Sequence, residues 1–287
     1  NDCSTDDSED VLNLLKTKYD NLDTRKITLT DGISRNNSIM WGVGIKAAKY
    51  EWIVITDANC YPDNENWLTT LQKNFNTKTD LVISYTSRRG SKLVRAGNFA
   101  DALYYLSKAC GGKTYTASGN NMAFRKSVFY ENKGFHPLLK VYDKADAVFV
   151  NTIAKKDNTV VDLSAEAINN SALKLSFEKW KIKCRDELRS QRLFRSGTKN
   201  ASCFEMFTRV LFYALFAVGL YFTLNVQWAW ITVAALFIVR LAIQMLIFSK
   251  AQKKLHEKDL LFTSLIWDLL SLFVYLPIIL QSKFVRR

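Results

Sequence analysis

Asp57 and Asn59 are the residues whose types and spacing most directly suggest chemistry. They follow the apolar run Ile53–Ile55, which is typical of a strand buried on both faces of a sheet. A carboxylate and an amide oxygen at this spacing can both face a hard cation such as Mg²⁺ or Mn²⁺. A strand that simply ends in a turn explains the same residues. The pattern therefore indicates either a metal site or an ordinary strand exit.

Alternating helix and strand patterns surround this pair. Helical spacing covers Glu9–Tyr19, Ile39–Lys49, Glu65–Phe75 and Phe99–Cys110. Strand patterns cover Arg25–Thr30, Glu51–Thr56, Leu81–Thr86 and Asn121–Phe124. This alternation predicts an open α/β sheet that is mostly parallel. Ligands of such sheets bind at the carboxyl ends of strands, where Asp57 lies, so the order of elements favours a binding site.

Three long apolar segments occupy the C-terminal third of the chain. They run over residues 207–224, 228–248 and 260–280, and each approaches the roughly 20 apolar residues that a helix needs to cross a bilayer. A buried helical hairpin in a soluble protein is the alternative. Three such segments in a row are hard for the remaining residues to cover, so we predict that this third is embedded in a membrane.

Lysine and arginine are concentrated beside the apolar segments. The formal net charge is +13, and the basic residues crowd into KWKIKCRDELRSQRLFRSGTK before the first segment and SKAQKKLHEK between the second and third. Such flanking charge marks the cytoplasmic side of a membrane and needs no nucleic acid to explain it. The uncharged connection 225–227 suits the opposite side. The large N-terminal region is therefore predicted to face the cytoplasm.

The third apolar segment has two possible topologies. If it crosses the membrane, the basic tail SKFVRR lies on the outer side, against the charge rule. Asp268 and Pro277 within the segment permit a re-entrant or interfacial helix instead. The sequence leaves both topologies open.

The cysteines and the first residues carry two further expectations. The five cysteines show neither a CxxC pair nor histidine partners at metal-ligand spacing, so they are interpreted as reduced, structural thiols. The chain opens on NDCSTDD without a recognisable signal peptide, in the manner of a segment inside a domain. We expect that an upstream segment is missing.

A resemblance to a known family joins these observations. The segments NDCSTDDSED, GIKAAKYEWIVITDANCYPDNENWL and SGNNMAFRKSVFYENKGF, in this order and followed by apolar spans, resemble membrane-anchored family-2 glycosyltransferases with a GT-A fold. The likeness is greatest to Bacteroidetes-type enzymes and extends over essentially the whole chain, including RLAIQMLIFSKAQKKLHEKDLLF. It implies a Rossmann-like, mostly parallel sheet with helices on both faces, followed by C-terminal transmembrane helices. That fold begins with an earlier nucleotide-binding strand, which we expect to belong to the missing upstream segment.

The resemblance also implies a division of the chain and a set of partners. Residues 1–176 would form the GT-A-like domain, 177–205 a basic amphipathic juxtamembrane linker, 206–281 transmembrane or interfacial helices, and 282–287 a basic tail. The expected substrates are a nucleotide-sugar donor and a lipid-linked or polysaccharide acceptor. The expected location is the bacterial inner (cytoplasmic) membrane, with the catalytic domain in the cytoplasm and no nucleic acid bound.

Donor-side roles follow from the same resemblance. Asp2 matches the aspartate that contacts the nucleotide base, while Asp57 and Asn59 occupy the first and last places of the DxD motif that holds Mn²⁺ or Mg²⁺. The last place is usually an aspartate, so Asn59 should hold the ion more weakly. The family often has Gly-Lys where this chain has Asn36-Asn37. Arg35 is the predicted replacement phosphate contact, with a solvated loop residue as the alternative.

Asp146 is the expected catalytic base. Aligning KADAVFVN with the acidic segment of inverting relatives places Asp146 where a carboxylate takes the proton of the acceptor hydroxyl. Ala145 stands in place of the preceding acid. Asp143, nearby, would either support the base or cap a helix.

The acceptor side is assigned to a loop and a basic segment. Gly119, Asn120 and Asn121 match the acceptor loop of relatives, where glycine permits close approach and asparagine offers donors and acceptors; an ordinary turn is the alternative. Lys183 and Arg185 keep positive charge where relatives carry a Gln and paired Arg, and are expected to support phosphate and acceptor. A strip facing anionic headgroups is the alternative.

Three functions remain on the basis of sequence. The first is sugar transfer from donor to acceptor at the cytoplasmic membrane face, for which the resemblance implies inversion. The second is a catalytically weakened relative that binds nucleotide sugar or a partner without turnover, which the changes at Asn59, Asn37 and Ala145 favour. A membrane scaffold is the third, supported by the apolar segments alone.

Overall fold

The computed structural model describes residues 1, 4–27, 37–134, 144–198, 201–223 and 228–284. Its helices are α1 (Ser8–Lys18), α2 (Asn37–Ala47), α3 (Trp67–Gln72), α4 (Lys92–Cys110), α5 (Lys126–Glu131), α6 (Ala145–Ile153), α7 (Phe177–Ser190), α8 (Ala201–Thr223), α9 (Ala229–Lys254) and α10 (Leu261–Phe284). Its strands are β1 (Trp52–Ile55), β2 (Cys60–Pro62), β3 (Leu81–Ile83), β4 (Thr86–Gly90), β5 (Met122–Arg125), β6 (Thr159–Val161) and β7 (Asn169–Leu175).

A four-stranded sheet in the order β1-β5-β3-β6 forms the centre of the domain. β5 runs antiparallel to both β1 and β3, and β6 runs parallel to β3, so three of the four strands point the same way. Leu81, Val82 and Ile83 are fully buried, which explains why β3 is an unbroken apolar run. The expected α/β fold is confirmed.

A second sheet, in the order β2-β7-β4, was not anticipated. The predicted strand Leu81–Thr86 is in fact divided, because β3 ends at Ile83 and β4 begins at Thr86 in the other sheet. Between them, the Ser84 hydroxyl donates to the carbonyl of Ala167 at 3.0 Å. The division places β4 beside β7, whose other neighbour is β2, the strand that follows β1.

Helix boundaries follow local capping. α4 begins seven residues earlier than predicted, because the Ser91 side chain accepts a hydrogen bond from the Val94 N–H at 3.4 Å and so caps the first turn. The predicted strand Arg25–Thr30 lies partly outside the described residues; within them, the Ile27 N–H donates to the carbonyl of Asn1 at 2.9 Å.

Cys60, Cys110 and Cys184 are free thiols in the described part of the chain.

Within the described residues, three helices are long and apolar enough to cross a membrane, over Phe204–Thr223, Ala229–Lys254 and Leu261–Ile279. They differ in how much the protein covers them. In the second helix, none of the most apolar stretch is buried inside the protein, whereas in the third helix 33% of that stretch is buried. The cover of the third, α10, comes from α4 and α7 of the α/β domain and from α9.

Asp268 explains how a carboxylate is accommodated within the apolar sequence of α10. Its oxygens accept from Arg240 of α9 at 2.9 Å and from the Tyr213 hydroxyl of α8 at 2.8 Å. Arg209 of α8 forms an ion pair with it at 3.2 Å. Because buried charges need partners, this cluster joins the three helices to one another.

The turn between α9 and α10 is docked into the α/β domain. Leu255 and Leu260 pack in a buried cluster with Tyr85 and Phe99. Between them the carboxylate of Glu257, almost fully buried, accepts from the Tyr85 hydroxyl at 2.9 Å and pairs with Arg95 at 2.7 Å. The loop that joins two apolar helices is therefore part of the domain core.

Candidate active site

A cleft of about 310 Å³ opens where β1 ends. Four residues singled out from sequence line it, although they come from distant segments: Asp57 after β1, Asn120 before β5, Asp146 in the first turn of α6, and Lys183 on α7. The prediction that polar residues gather at a carboxyl strand end agrees with this geometry.

Asp146 is held by the backbone of the neighbouring loop. Its Oδ2 accepts a hydrogen bond from the Gly119 N–H at 3.0 Å. A Cβ at Gly119 would lie 2.4 Å from the Trp41 ring and 2.8 Å from that same Oδ2. Glycine is therefore required here because Trp41 and Asp146 pack against the backbone, which is a different reason from the close approach of a sugar.

Asp57 lies in an environment that disfavours its charge. Burial raises the pKa of its carboxyl, and the negative charge of Asp146 adds to the rise, while Arg88 and Lys144 act in the opposite direction. Two carboxylates thus share one cleft and repel each other. A cation or a positively charged group of a ligand placed between them would relieve this repulsion.

Basic residues form the other half of the cleft. Arg88, Lys144 and Lys183 all line it. Lys183 Nζ lies 3.4 Å from Asn98 Oδ1, and burial together with the charges of Arg88 and Lys144 lowers the pKa of Lys183 to about 7. These basic residues repel one another, so an anion bound among them would be stabilised.

Arg88 and Lys144 were missed by sequence reasoning. Arg88 lies in TSRRG, which reads as a solvated basic turn until β4 is seen to pair with β7 in the second sheet. Its Nη2 is 3.5 Å from Ser118 Oγ, beside the predicted acceptor loop. Lys144 directly precedes α6, and its nearness to Asp146 in the sequence was the available signal.

The predicted acceptor loop divides into two kinds of residue. Asn120 lines the cleft. Asn121 is fully buried, and its amide donates to the carbonyls of Tyr85 at 2.9 Å and Ala167 at 2.8 Å. Its Oδ1 also accepts from the Trp67 indole at 3.3 Å. The geometry gives Asn121 a structural role, and contact with an acceptor is not supported at this position.

Asn59 is not one of the residues that line the cleft. It is exposed, and its Oδ1 accepts from the Ser171 hydroxyl at 3.1 Å. Across the described residues no group of three or more His, Cys, Asp or Glu side chains is arranged to hold a metal. Asp57 thus fits one ligand position of a divalent cation, whereas Asn59 would have to exchange its contact with Ser171 for the metal.

Arg185 lies apart from Lys183. Residues two apart on a helix face different sides, and Arg185 lines a separate cavity between α7 and α10. Its Nε is 3.6 Å from a carboxylate oxygen of Asp186. Of the two basic residues predicted on this segment, Lys183 is the one at the cleft. Asp2, Arg35 and Asp143 lie outside the described residues, so their predicted roles stay predictions.

Comparisons with known proteins come from families and from solved structures. The model of glycosyl transferase family 21 matches residues 2–287. The structure of S. aureus TarS 1-349 in complex with UDP is 17% identical, with 94% of this chain and 77% of that chain covered and a TM-score of 0.44. The corresponding complex with UDP-GlcNAc is 15% identical, with 93% and 79% covered and a TM-score of 0.42. These are distant likenesses. None of the curated proteins matches the chain.

Proposed function

This chain belongs to glycosyl transferase family 21, and on that premise we propose that it transfers a sugar from a nucleotide-sugar donor to a hydroxyl of a lipid-linked or polysaccharide acceptor, with inversion at the anomeric carbon. The matching family is numbered differently from the one named by the sequence resemblance, and the class of enzyme is the same. The observation that carries the proposal is the meeting of Asp57 and Asp146 with the basic residues Arg88, Lys144 and Lys183 in one cleft.

The cations account for donor binding. A nucleotide sugar carries its negative charge on the diphosphate, and that charge grows as the bond to the sugar breaks. Arg88, Lys144 and Lys183 surround the cleft and would stabilise the departing diphosphate. Charges act more strongly where water is partly excluded, and Lys183 is part-buried. A diphosphate bound beside Lys183 would favour the charged form of its amine, whose pKa is otherwise lowered to about 7.

Asp146 accounts for activation of the acceptor. In a single displacement, the acceptor oxygen attacks the anomeric carbon, the bond from that carbon to the diphosphate breaks, and the hydroxyl proton passes to a carboxylate oxygen. The hydrogen bond from Gly119 fixes Oδ2, which leaves Oδ1 as the oxygen that we assign to receive the proton. Trp41, also in the cleft, packs against the same loop and restricts its movement.

Mn²⁺ or Mg²⁺ is part of the proposal as a partner of the donor. When bound, such a cation would neutralise diphosphate charge. Asp57 is the residue of this chain that we assign to it, together with phosphate oxygens, and Asn59 is a second ligand if it releases Ser171.

The cytoplasmic face of a bacterial inner membrane is the proposed location. Lys250, Lys253 and Lys254 lie at the end of α9 that adjoins the α/β domain. Positive charge at this end favours the cytoplasmic side, where nucleotide sugars are available.

A transfer assay tests the proposed function. The full-length protein, in detergent or in vesicles, is supplied with a panel of nucleotide sugars, Mn²⁺ and membrane lipids, and both transfer and release of free sugar are measured. Transfer from one donor supports the proposal. Tight nucleotide binding without transfer or hydrolysis for any donor would support the alternative, a weakened relative, which the contact of Asn59 with Ser171 favours.

Replacement of Lys183 by glutamine is expected to weaken nucleoside diphosphate binding by about 10-fold to 100-fold, because a charge-assisted contact contributes about 1.5–3 kcal/mol. Lys181→Gln on the same helix is the matched control, since Lys181 lines the separate cavity beside α10. Calorimetry with UDP, GDP and CDP measures the effect. Equal affinities for the two variants would remove Lys183 from the donor site.

Replacement of Asn59 by aspartate is expected to tighten binding of Mn²⁺ and of the nucleoside diphosphate in its presence, because a formal charge is added next to a dication. Ser171→Ala removes the 3.1 Å hydrogen bond to the amide oxygen of Asn59 without adding charge, leaves the 3.4 Å contact from the Cys60 thiol, and serves as the comparison. Titration calorimetry with and without Mn²⁺ gives both affinities. If neither variant changes either affinity, Asn59 is a strand-exit residue and not a ligand.

A further inference from the structure

Both ends of α10 contact the same domain. Leu260, just before its first residue, packs with Tyr85 and Phe99, and Ile278 packs with Val94 and Trp180. At 1.5 Å per residue, the 18 residues between Leu260 and Ile278 span about 27 Å, close to the thickness of a hydrocarbon core of about 30 Å. A crossing helix would carry Ile278 to the far side of the membrane, away from a domain that lies on one side.

The contacts between these two ends continue without a gap. The Trp267 and Trp180 rings lie edge to face at 5.1 Å. A Cβ on Gly97 of α4 would be 2.9 Å from Trp180 and 3.0 Å from Trp267, so glycine lets the helices approach closely. Two turns later, the Tyr275 hydroxyl donates to Asp101 of α4 at 2.6 Å. α10 therefore lies along the domain rather than leaving it.

The opposite side of α10 is a continuous apolar face. Its exposed side chains are Phe262, Ile266, Leu269, Leu270, Phe273 and Leu276. Their spacing of three, four and seven residues places them on one stripe of the helix. A helix surrounded by lipid on all sides would instead be apolar and exposed all round. Trp267 is buried against the domain, and Asp268 is buried against the helices α8 and α9.

From this placement we propose that α10 lies in the plane of the membrane, with its apolar face in the boundary between headgroups and acyl chains, and that α8 and α9 are the two of the three described apolar helices that cross. The apolar face of α10 contacts the lipid leaflet that α8 and α9 enter. Phe207 and Leu211 of α8, and Ile243 and Leu246 of α9, are exposed as well, so the apolar surface continues from α10 onto both. Helices of this kind bury their apolar face about 5–10 Å into that boundary.

Charge agrees with this placement. Lys181 and Arg185 of α7 border the cavity at the C-terminal part of α10, where they would meet anionic headgroups. The basic sequence SKFVRR that follows then belongs on the same side as the α/β domain, in keeping with the charge rule. The conflict between the tail and a third crossing disappears.

Single cysteines test sidedness. Native cysteines other than buried Cys184 are changed to serine, and Lys253→Cys, Gln281→Cys or Gln227→Cys is added; Gln227 lies outside the described residues and marks the α8–α9 connection. Labelling with an impermeant thiol reagent is compared in spheroplasts and inverted vesicles. We expect Gln281→Cys to label from the same side as Lys253→Cys and opposite to Gln227→Cys. Labelling of Gln281→Cys with Gln227→Cys would overturn the proposal.

Spin labels give a second readout that does not depend on sidedness. Labels at Phe262 and Phe273 are 11 residues apart, and so are matched labels at Leu236 and Ile247 of α9, a separation of about 16 Å along either helix. Collision with lipid-soluble oxygen and a water-soluble nickel complex should report equal depths for the α10 pair and clearly different depths for the α9 pair. Different depths on α10, or no contact with lipid, would overturn the proposal.

Discussion

Replacement of Asp146 by asparagine is expected to lower the rate of sugar transfer by about 10² to 10⁴-fold while donor affinity stays close to that of the wild type. Asparagine keeps the volume of the side chain, and its carbonyl oxygen can still accept the hydrogen bond that Gly119 donates. It has no oxygen that takes up a proton at neutral pH. The loss should therefore fall on kcat, measured by transfer at saturating donor and acceptor.

Asp186→Asn is the matched control for this substitution. Asp186 lines the same cleft and the change removes the same charge, but its carboxylate lies 3.7 Å from Arg189 on its own helix. We expect less than about a 5-fold change in rate from it, in the range of a lost surface ion pair. If Asp146→Asn keeps full transfer, the base has been assigned to the wrong residue, and Asp143 is the next candidate.

Replacement of Glu257 by alanine is expected to destabilise the protein by about 3 kcal/mol, the lower end of the range for breaking a buried ion pair. Its carboxylate accepts from the Ser87 hydroxyl at 2.7 Å as well as from Tyr85, and Arg95 loses its partner. Arg95 is one-quarter exposed, so water replaces part of the lost contact. Thermal unfolding of the full chain in detergent should show a Tm lower by about 6–12 °C.

Two controls separate the causes. Glu257→Gln keeps an oxygen for Tyr85 and Ser87 and should cost less than Glu257→Ala. Lys258→Ala alters an exposed residue of the same turn and should stay within about 0.5 kcal/mol of the wild type. Equal Tm values for Glu257→Ala and Lys258→Ala would show that the turn does not stabilise the domain. Because Ser87 adjoins Arg88 in β4, transfer should also fall in Glu257→Ala.

Much of the candidate site could be predicted from the sequence because each residue lies next to a recognisable element. The apolar run of β1 points to Asp57, and the start of α6 points to Asp146. Arg88 was not accessible in this way. Its position depends on the break between β3 and β4, which transfers β4 to the second sheet, and such pairing arises from contacts between segments far apart in the chain.

The direction in which individual side chains point could not be predicted from the sequence either. Asn120 and Asn121 are neighbours of the same type, yet one lines the cleft and the other bridges two carbonyls in the core. Likewise, the apolar composition of α10 indicates lipid contact but does not reveal that one side is covered by α4 and α7. Hydropathy averages over all faces of a helix, and burial distinguishes between them.

Asp268 also has a consequence for the order in which the protein is made. It belongs to α10, which the ribosome synthesises after α8 and α9, the helices that carry Arg209 and Arg240. If α8 and α9 cross the membrane as we propose, Arg240 enters it before Asp268, its partner at 2.9 Å, has been synthesised. A charged side chain without a partner is costly there, so a chain truncated before Asp268 would keep Arg240 without this carboxylate.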